Sequence, residues 1–471
     1  MIGGLALESK KESSLVSWAI KRSRTRPAKV RILIREREPY RQEVCVEVGT
    51  VVIAGQVVAM PVDADAVPSH ASMPGEVTRI DRFPDSKGGT GLAVEISGDE
   101  TFGWSPEVNS EREGWELLSR SNLFAIFRES GLMSMEAGNP LHAKYEPISQ
   151  GELRTLIVNG CETDPYVTSA HALLMSHPVE ILRGAESMRS LIGAERVVIA
   201  LDASKSEIAE LLRSKIFFLK WKHFKVTLLS ERYPQSETLP LIRDVLGIDL
   251  IRNAGALMQL RFAESARDGY LELAHQAGIA IEDTATLFSV YEAVRYHKPL
   301  YERVVTVAGE CIIEPRNIWL PFGISFQDAV KSCRGLMRGP EKILMGGPMK
   351  GIAQRDWDAC VIAQTEAILA LPHEVTKPEE VHACIHCGDC VSACPVEISP
   401  VMITQAAEAD LFEMASDWGI SACIGCGNCS YVCPAKRPMA DLIRYALEGV
   451  GQLSEEEILR PSVLVGVGAQ E

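Results

Sequence analysis

Apolar positions along this chain switch between two periods. LRTLIVNG (153–160), RVVIALD (196–202) and FKVTLLS (224–230) are apolar runs of strand length. Between them, PVEILRGAESMRSLIG and KSEIAELLRSKIFFLK place apolar residues three and four apart, the spacing of helices that bury one face. This alternation predicts a layered α/β domain on a largely parallel sheet, with ligands at the carboxyl ends of its strands. Ahead of it, VCVEVGTVVIAGQVVAM (44–60) is β-branched and broken by Gly49 and Gly55, which predicts short strands joined by tight turns. HASMPGEVTRI (70–80) adds a further turn and strand. Near the other end, residues 399–422 carry Met402, Ile403, Leu411, Phe412 and Met414 at helical spacing and predict one or two helices.

The length of 471 residues allows two to four domains, and 46% apolar with 24% charged residues is an ordinary globular composition. Asp and Glu outnumber Lys and Arg by 63 to 48, and the resulting charge of −15 argues against a nucleic-acid partner. One basic run, Lys21 to Arg31, reads as a solvated arm, with contact to anionic lipid or an acidic partner as the alternative. No apolar run approaches the roughly 20 residues of a spanning helix. The opening MIGGLALESKKESS turns polar before any apolar region, so the expected location is cytoplasmic.

Cysteine placement narrows the chemistry. Eight of thirteen cysteines fall between 384 and 433, as CIHCGDCVSACP and CIGCGNCSYVCP. Each is C-x2-C-x2-C-x3-C-P, the bacterial ferredoxin run for [4Fe–4S] clusters. Three thiolates two residues apart can wrap one corner of a cubane if the loop is tight, and Gly388, Gly425 and Gly427 permit that tightness. The fourth cysteine of one run ligates the other cluster in two-cluster ferredoxins. That pattern assigns Cys384, Cys387, Cys390 and Cys433 to one cluster and Cys394, Cys423, Cys426 and Cys429 to the second. Zinc is the competing ligand for four thiolates, but two complete runs each ending in Cys-Pro match the cluster template better. Cys45, Cys161, Cys311, Cys333 and Cys360 are scattered, and each is expected to be a small buried hydrophobe.

Several motifs in this order carry a family resemblance. The N-terminal strands and turns resemble the barrel-sandwich fold of biotinyl and lipoyl carriers, without the modifiable lysine at VPSHASMPG, where His70 reads as a turn residue. Together with NGCETDPYVTSAH (159–171), RYPQSE (232–237), MGGPMKGIA (345–353) and the cysteine runs, the chain resembles RnfC from about residue 35 to 445. RnfC is the flavin and iron–sulfur subunit of Rnf ion-translocating electron transport complexes.

The resemblance implies an α/β and β multidomain chain. Its parts are an N-terminal barrel-sandwich-like β module (1–112), an α/β domain like the complex I flavin subunit (113–300) and a β-grasp, SLBB-like domain (301–372). A two-cluster ferredoxin-like module (373–450) and a tail (451–471) follow. It also implies an oxidoreductase component relaying electrons through two [4Fe–4S] clusters, with FMN as a further cofactor. Other subunits of a membrane-bound redox complex, and a redox protein such as ferredoxin or a flavoprotein, would be its partners. The chain would then sit on the inner face of the cell membrane. A cobalamin reductase-like flavin and iron–sulfur protein is the alternative.

One stretch departs from the family. Where RnfC resemblance calls for G-L-G-G-A-G-F-P-T-H-x-K, this chain reads MSMEAGNPLHAK (133–144). Three glycines have become Met133, Met135 and Glu136, while Gly138, Pro140, His142 and Lys144 match. A phosphate cradle needs inward N–H groups and no side chain in the way, so two methionines are expected to fill it, with Lys144 offsetting part of the Glu136 charge. Asn159, Glu162 and Asp164 match positions that face the flavin in the family. They also read as strand-end turn residues, with Ser169 as a helix N-cap and MGGPMKG as a tight turn on the sheet. Two versions follow: a chain that keeps its flavin and nucleotide site, and one that has lost it.

Overall fold

The structure, a computed structural model, describes residues 4–15, 19–22, 27–86, 88–98, 110–135, 138–250, 266–377 and 379–452. It divides into two compact units, one of Glu8–Glu231 with Ala277–Lys377, and one of Met1–Leu7, Arg232–Gln276 and Pro378–Glu471. The described parts of Arg232–Gln276, which the sequence pattern places inside the α/β domain, therefore belong to the unit that holds the cysteine runs.

In the larger unit the three apolar runs form parallel strands at Thr155–Asn159, Arg196–Asp202 and Phe224–Leu229, and Ile279–Asp283 is a fourth. Phe224–Leu229 is at one edge, followed by Arg196–Asp202, Thr155–Asn159 and Ile279–Asp283. The order reverses between Thr155–Asn159 and Ile279–Asp283, the switch point at which open α/β sheets usually bind ligands. Helices Pro178–Ile192 and Ser206–Leu219 lie where the spacing predicts them, the first opened by Pro178 and closed by Gly193 at φ 73°. Gly184 lets Pro178–Ile192 approach Thr284–Tyr296, since a Cβ there would lie 1.9 Å from the Leu287 carbonyl oxygen.

Around residues 301–372 a strand at Glu302–Ala308 pairs with Arg316–Pro321, and helix Phe326–Lys331 follows with Ser325 as its N-cap. These strands belong to a six-stranded sheet with Ala367–Leu371, Lys342–Met345, Ile352–Ala353 and Lys21–Arg22. The N-terminal segment forms two small antiparallel sheets, with the main chain turning at Gly49 (φ 93°) and Gly55 (φ 88°). They share one core with the six-stranded sheet: Val30, Ile32, Val94 and Ile96 pack in the same cluster as Val305, Ile318 and Phe326.

Lys21–Arg31 is no free arm in its described parts. Lys21 and Arg22 pair with Ile318 and Trp319, Arg22 makes a two-pronged bond to Glu302 at 2.8 and 2.9 Å, and Arg31 is buried against Glu95 at 2.9 Å. Strand pairing and desolvated carboxylates have recruited charges that the run alone suggests are solvated. His70 is buried, and burial lowers its pKa to about 4.

In the smaller unit, helices Pro400–Glu408 and Phe412–Asp417 connect the cysteine runs, and Met439–Val450 packs on both. Among the described residues no helix is long and apolar enough to cross a membrane.

Candidate electron-transfer site

The two cysteine runs adopt near-identical backbones. The first turns left-handed at His386 (φ 55°) and Gly388 (φ 82°), and the second at Gly425 (φ 63°) and Gly427 (φ 78°). Glu397 (φ 57°) and Lys436 (φ 54°) repeat the turn beyond each Cys-Pro. His386 adopts this conformation at a cost of about 1 kcal/mol where the second run has glycine. Cys384, Cys387, Cys390 and Cys433 line a cavity of about 110 Å³. Cys394, Cys423, Cys426 and Cys429 line another, of about 30 Å³. Each cavity thus draws three cysteines from one run and one from the other. Among the described residues no three His, Cys, Asp or Glu side chains converge tightly enough for a single ion.

The donor chemistry suits iron–sulfur clusters. Cys390, Cys394, Cys426 and Cys429 are buried, and burial pushes the Cys429 thiol up to about 12. A thiolate there needs a cationic centre beside it, which cluster iron supplies. The His386 N–H donates to Cys384 Sγ at 3.5 Å and the Gly425 N–H to Cys423 Sγ at 3.4 Å. Asn428 Nδ2 donates to the Ala393 carbonyl at 3.1 Å and ties the two runs together. Two tyrosines brace the second loop: Tyr233 donates to the Cys426 carbonyl at 2.7 Å and Tyr270 to the Ala422 carbonyl at 2.6 Å. Tyr233 stands in the RYPQSE stretch, whose bracing part no spacing reveals.

At the strand ends of the larger unit the expected flavin-facing residues are bound internally. Asn159 Oδ1 accepts from the Cys161 N–H at 3.3 Å. Glu162 accepts from Ala170 N–H at 2.6 Å and His171 N–H at 2.9 Å, so its carboxylate occupies the start of helix Ser169–Ser176. Thr168, and not Ser169, is the N-cap; the Ser169 hydroxyl turns to Glu162 at 3.5 Å. Lys205 pairs with Glu162 and Asp202, both at 3.1 Å, and Lys11 donates to the Glu162 carbonyl. Burial opposes the charge of Asp202, but Lys205, the Ser204 hydroxyl, the Glu162 N–H and Lys11 together outweigh it and bring the pKa to about 2. Asp164 accepts from the Met349 N–H at 3.4 Å, and MGGPMKG is a turn in which a Cβ on Gly347 would strike the Asp164 carboxylate at 2.2 Å. Lys205 and Lys11 escape sequence reading because Glu162, which both of them reach, lies on another segment.

The glycine-poor loop reaches the switch point, but as packing. Met135 is 2% exposed and belongs to the core with Leu132, Phe127 and Leu141, and Met133 packs against that core. The expectation that both methionines block an open cradle is corrected: Met135 has a core place of its own. Three of the loop's described N–H groups are taken as well. Met135 N–H donates to Thr286 Oγ1 at 2.9 Å, Ser134 N–H to the Asn139 carbonyl at 2.9 Å and Gly138 N–H to the Ser134 carbonyl at 2.7 Å. Gly138, at φ 81°, gives its carbonyl to Arg35 at 2.8 Å. Lys144 does not reach toward a phosphate; it is buried against Glu282 at 2.7 Å, with Tyr145 donating to the same oxygen at 2.7 Å. Glu136 lies outside the described residues. In this conformation the described loop residues do not fit a flavin phosphate.

Comparison with known proteins brings these features together. Residues 128–292 match the family described as the Nuo51 FMN-binding domain, and residues 378–434 match the 4Fe-4S dicluster domain. The C component of the proton-translocating ferredoxin:NAD(+) oxidoreductase complex of Clostridium ljungdahlii is 29% identical, covering 89% of this chain and 87% of that one. The chain is RnfC-like. The C component of the Na(+)-translocating ferredoxin:NAD(+) oxidoreductase complex of Acetobacterium woodii is 29% identical over 85% of the RnfC-like chain and 86% of its own length. Its counterpart in the ion-translocating oxidoreductase complex of Rhodobacter capsulatus is 29% identical, over 92% and 79%. Among solved structures, an NAD+-reducing [NiFe]-hydrogenase in the H2-reduced state aligns with a TM-score of 0.47 at 16% identity, covering 74% of this chain and 65% of that one.

Proposed function

We propose that this RnfC-like chain relays electrons one at a time through two [4Fe–4S] clusters, as a subunit of a ferredoxin:NAD-type oxidoreductase complex. Cys384, Cys387, Cys390 and Cys433 would hold one cluster, and Cys394, Cys423, Cys426 and Cys429 the other. A bound cluster supplies a reversible one-electron carrier. The observation that carries the reading is the interleaved lining, in which Cys433 joins the first run's cavity and Cys394 the second's. The N–H groups of His386 and Gly425 at sulfur favour the more negative, reduced state of each site. Its partners are the other members of a membrane-bound complex and a ferredoxin or flavoprotein donor, with the chain peripheral on the inner face.

The N-terminal sheets are read as a barrel-sandwich-like module and residues 301–372 as a β-grasp, SLBB-like domain, the latter supported by its strand–strand–helix order. The internal bonding of the loop supports the version in which this chain's own flavin phosphate site is lost. A cobalamin reductase-like role needs a reduced flavin on this chain and is the weaker reading for that reason. Anaerobic purification followed by absorption, iron, sulfide, zinc and flavin analysis tests the proposal. About eight irons per chain without zinc are expected; zinc in place of iron overturns it.

A further inference from the structure

The larger unit exposes a surface that electron relay does not use. At the end of helix Ser206–Leu219, Phe217 and Phe218 are 78% and 76% exposed, with ring centroids 6.0 Å apart. Side chains this large stay in water at the expense of hydrophobic free energy unless something covers them. Lys220, at φ 58°, stops the helix directly after Leu219, so the phenylalanines stand in its exposed last turn, at the corner where the chain leaves the helix. Trp221 then folds back and stacks on buried Phe224 at 5.0 Å, giving the corner a rigid base.

The segment that forms the corner carries charge of one sign. Between Glu210 and Glu231 the chain carries Arg213, Lys215, Lys220, Lys222 and Lys225 and no acidic residue, in a protein of net charge −15. Lys220, Lys222 and Lys225 are exposed, and among the described residues none of the four lysines has a carboxylate within ion-pair distance. Glu186 faces this turn and is already bound to His223 at 2.8 Å and Arg189 at 2.7 Å.

We propose that Phe217 and Phe218, with Lys220, Lys222 and Lys225, form a membrane-surface contact that seats this unit on an anionic bilayer. The phenyl rings would enter the boundary between headgroups and acyl chains, and the ammonium groups would remain at the phosphates. Each lysine near such a surface adds favourable electrostatic energy that salt screens. Composition separates lipid from protein as the occupant. Protein interfaces are depleted of lysine, whereas a pair of exposed aromatic rings flanked along the chain by lysines is the make-up of an interfacial anchor. The acidic remainder of the molecule would be repelled by the same surface, so the contact also orients the chain.

Flotation of the full chain with vesicles tests this, comparing phosphatidylcholine alone with a mixture containing phosphatidylglycerol, at low and at physiological salt. Binding to the anionic vesicles that weakens with salt is expected. Phe217→Ser/Phe218→Ser and, separately, Lys220→Gln/Lys222→Gln should each lower partitioning by about tenfold or more, with iron content and melting temperature unchanged. Absence of wild-type binding to anionic vesicles overturns the proposal, as does binding that the phenylalanine variant leaves intact. If vesicles fail to bind while the phenylalanine variant loses its association with other members of the complex, the patch is a protein interface and the lipid assignment is wrong.

Discussion

Tyr233 donates its hydroxyl hydrogen to the main-chain carbonyl of Cys426 at 2.7 Å, and both residues are buried. A motif 193 positions ahead of Cys426 thereby fixes the backbone at a cysteine proposed to hold a cluster. Tyr233→Phe leaves that carbonyl without its side-chain donor in a dry site, at a cost of about 1–3 kcal/mol. The expected outcome is a lower denaturant midpoint and faster loss of iron in air, followed by absorbance near the cluster bands. Equal midpoints for variant and wild type would refute the brace.

The proposed crosswise ligation makes a distinctive prediction for the fourth cysteines. Cys433→Ala should remove the cluster associated with the first run, and Cys394→Ala that of the second, although each residue belongs to the opposite run in sequence. Iron should fall from about eight to about four in each case. Electron paramagnetic resonance of the pairs Cys433→Ala with Cys387→Ala, and Cys394→Ala with Cys426→Ala, should show the same surviving signal within each pair.

Met135 is a core residue, so Met135→Ala should destabilise the larger unit by about 2–5 kcal/mol in urea unfolding. Replacing Met133, Met135 and Glu136 with glycine should for the same reason fail to create a tight FMN site, as read by flavin fluorescence titration. A strong gain in FMN affinity would show that the loop can be reopened.

Lys144 and Glu282 form a buried pair, with side chains 6% and 0% exposed. Lys144→Met should cost about 3–5 kcal/mol by stranding the carboxylate. Adding Glu282→Gln should recover part of that loss, and a double-mutant cycle with no coupling energy would refute the pair.

Acid should weaken the N-terminal module through His70. Burial lowers its folded-state pKa to about 4, against about 6.5 when unfolded. The neutral ring's contribution is complete above pH 6.5 and disappears as pH falls from 6.5 toward 4, because the unfolded chain takes the proton first. The loss approaches about 3 kcal/mol, and His70→Gln should flatten this part of the stability profile.

What the sequence discloses follows physical reach. Thr155–Asn159 and Arg196–Asp202 are legible because strands of a parallel sheet are buried on both faces and need unbroken apolar runs. The cysteine runs are legible because cluster geometry sets their spacing. Lys144 with Glu282, 138 positions apart, leaves no local signature. Ser169 and Thr168 exchange roles because Glu162, and not a local hydroxyl, takes the first free N–H groups of the helix. Met135 reads as an obstruction only when its loop is imagined open.

Glu162 also sets the terms for any visitor to that end of the sheet. An anion arriving from solution would find the first turn of Ser169–Ser176 already neutralised by a carboxylate on the same chain, anchored in turn by Lys205. It would have to compete with a tethered rival that cannot diffuse away, and supply enough energy to strand two buried charges while doing so.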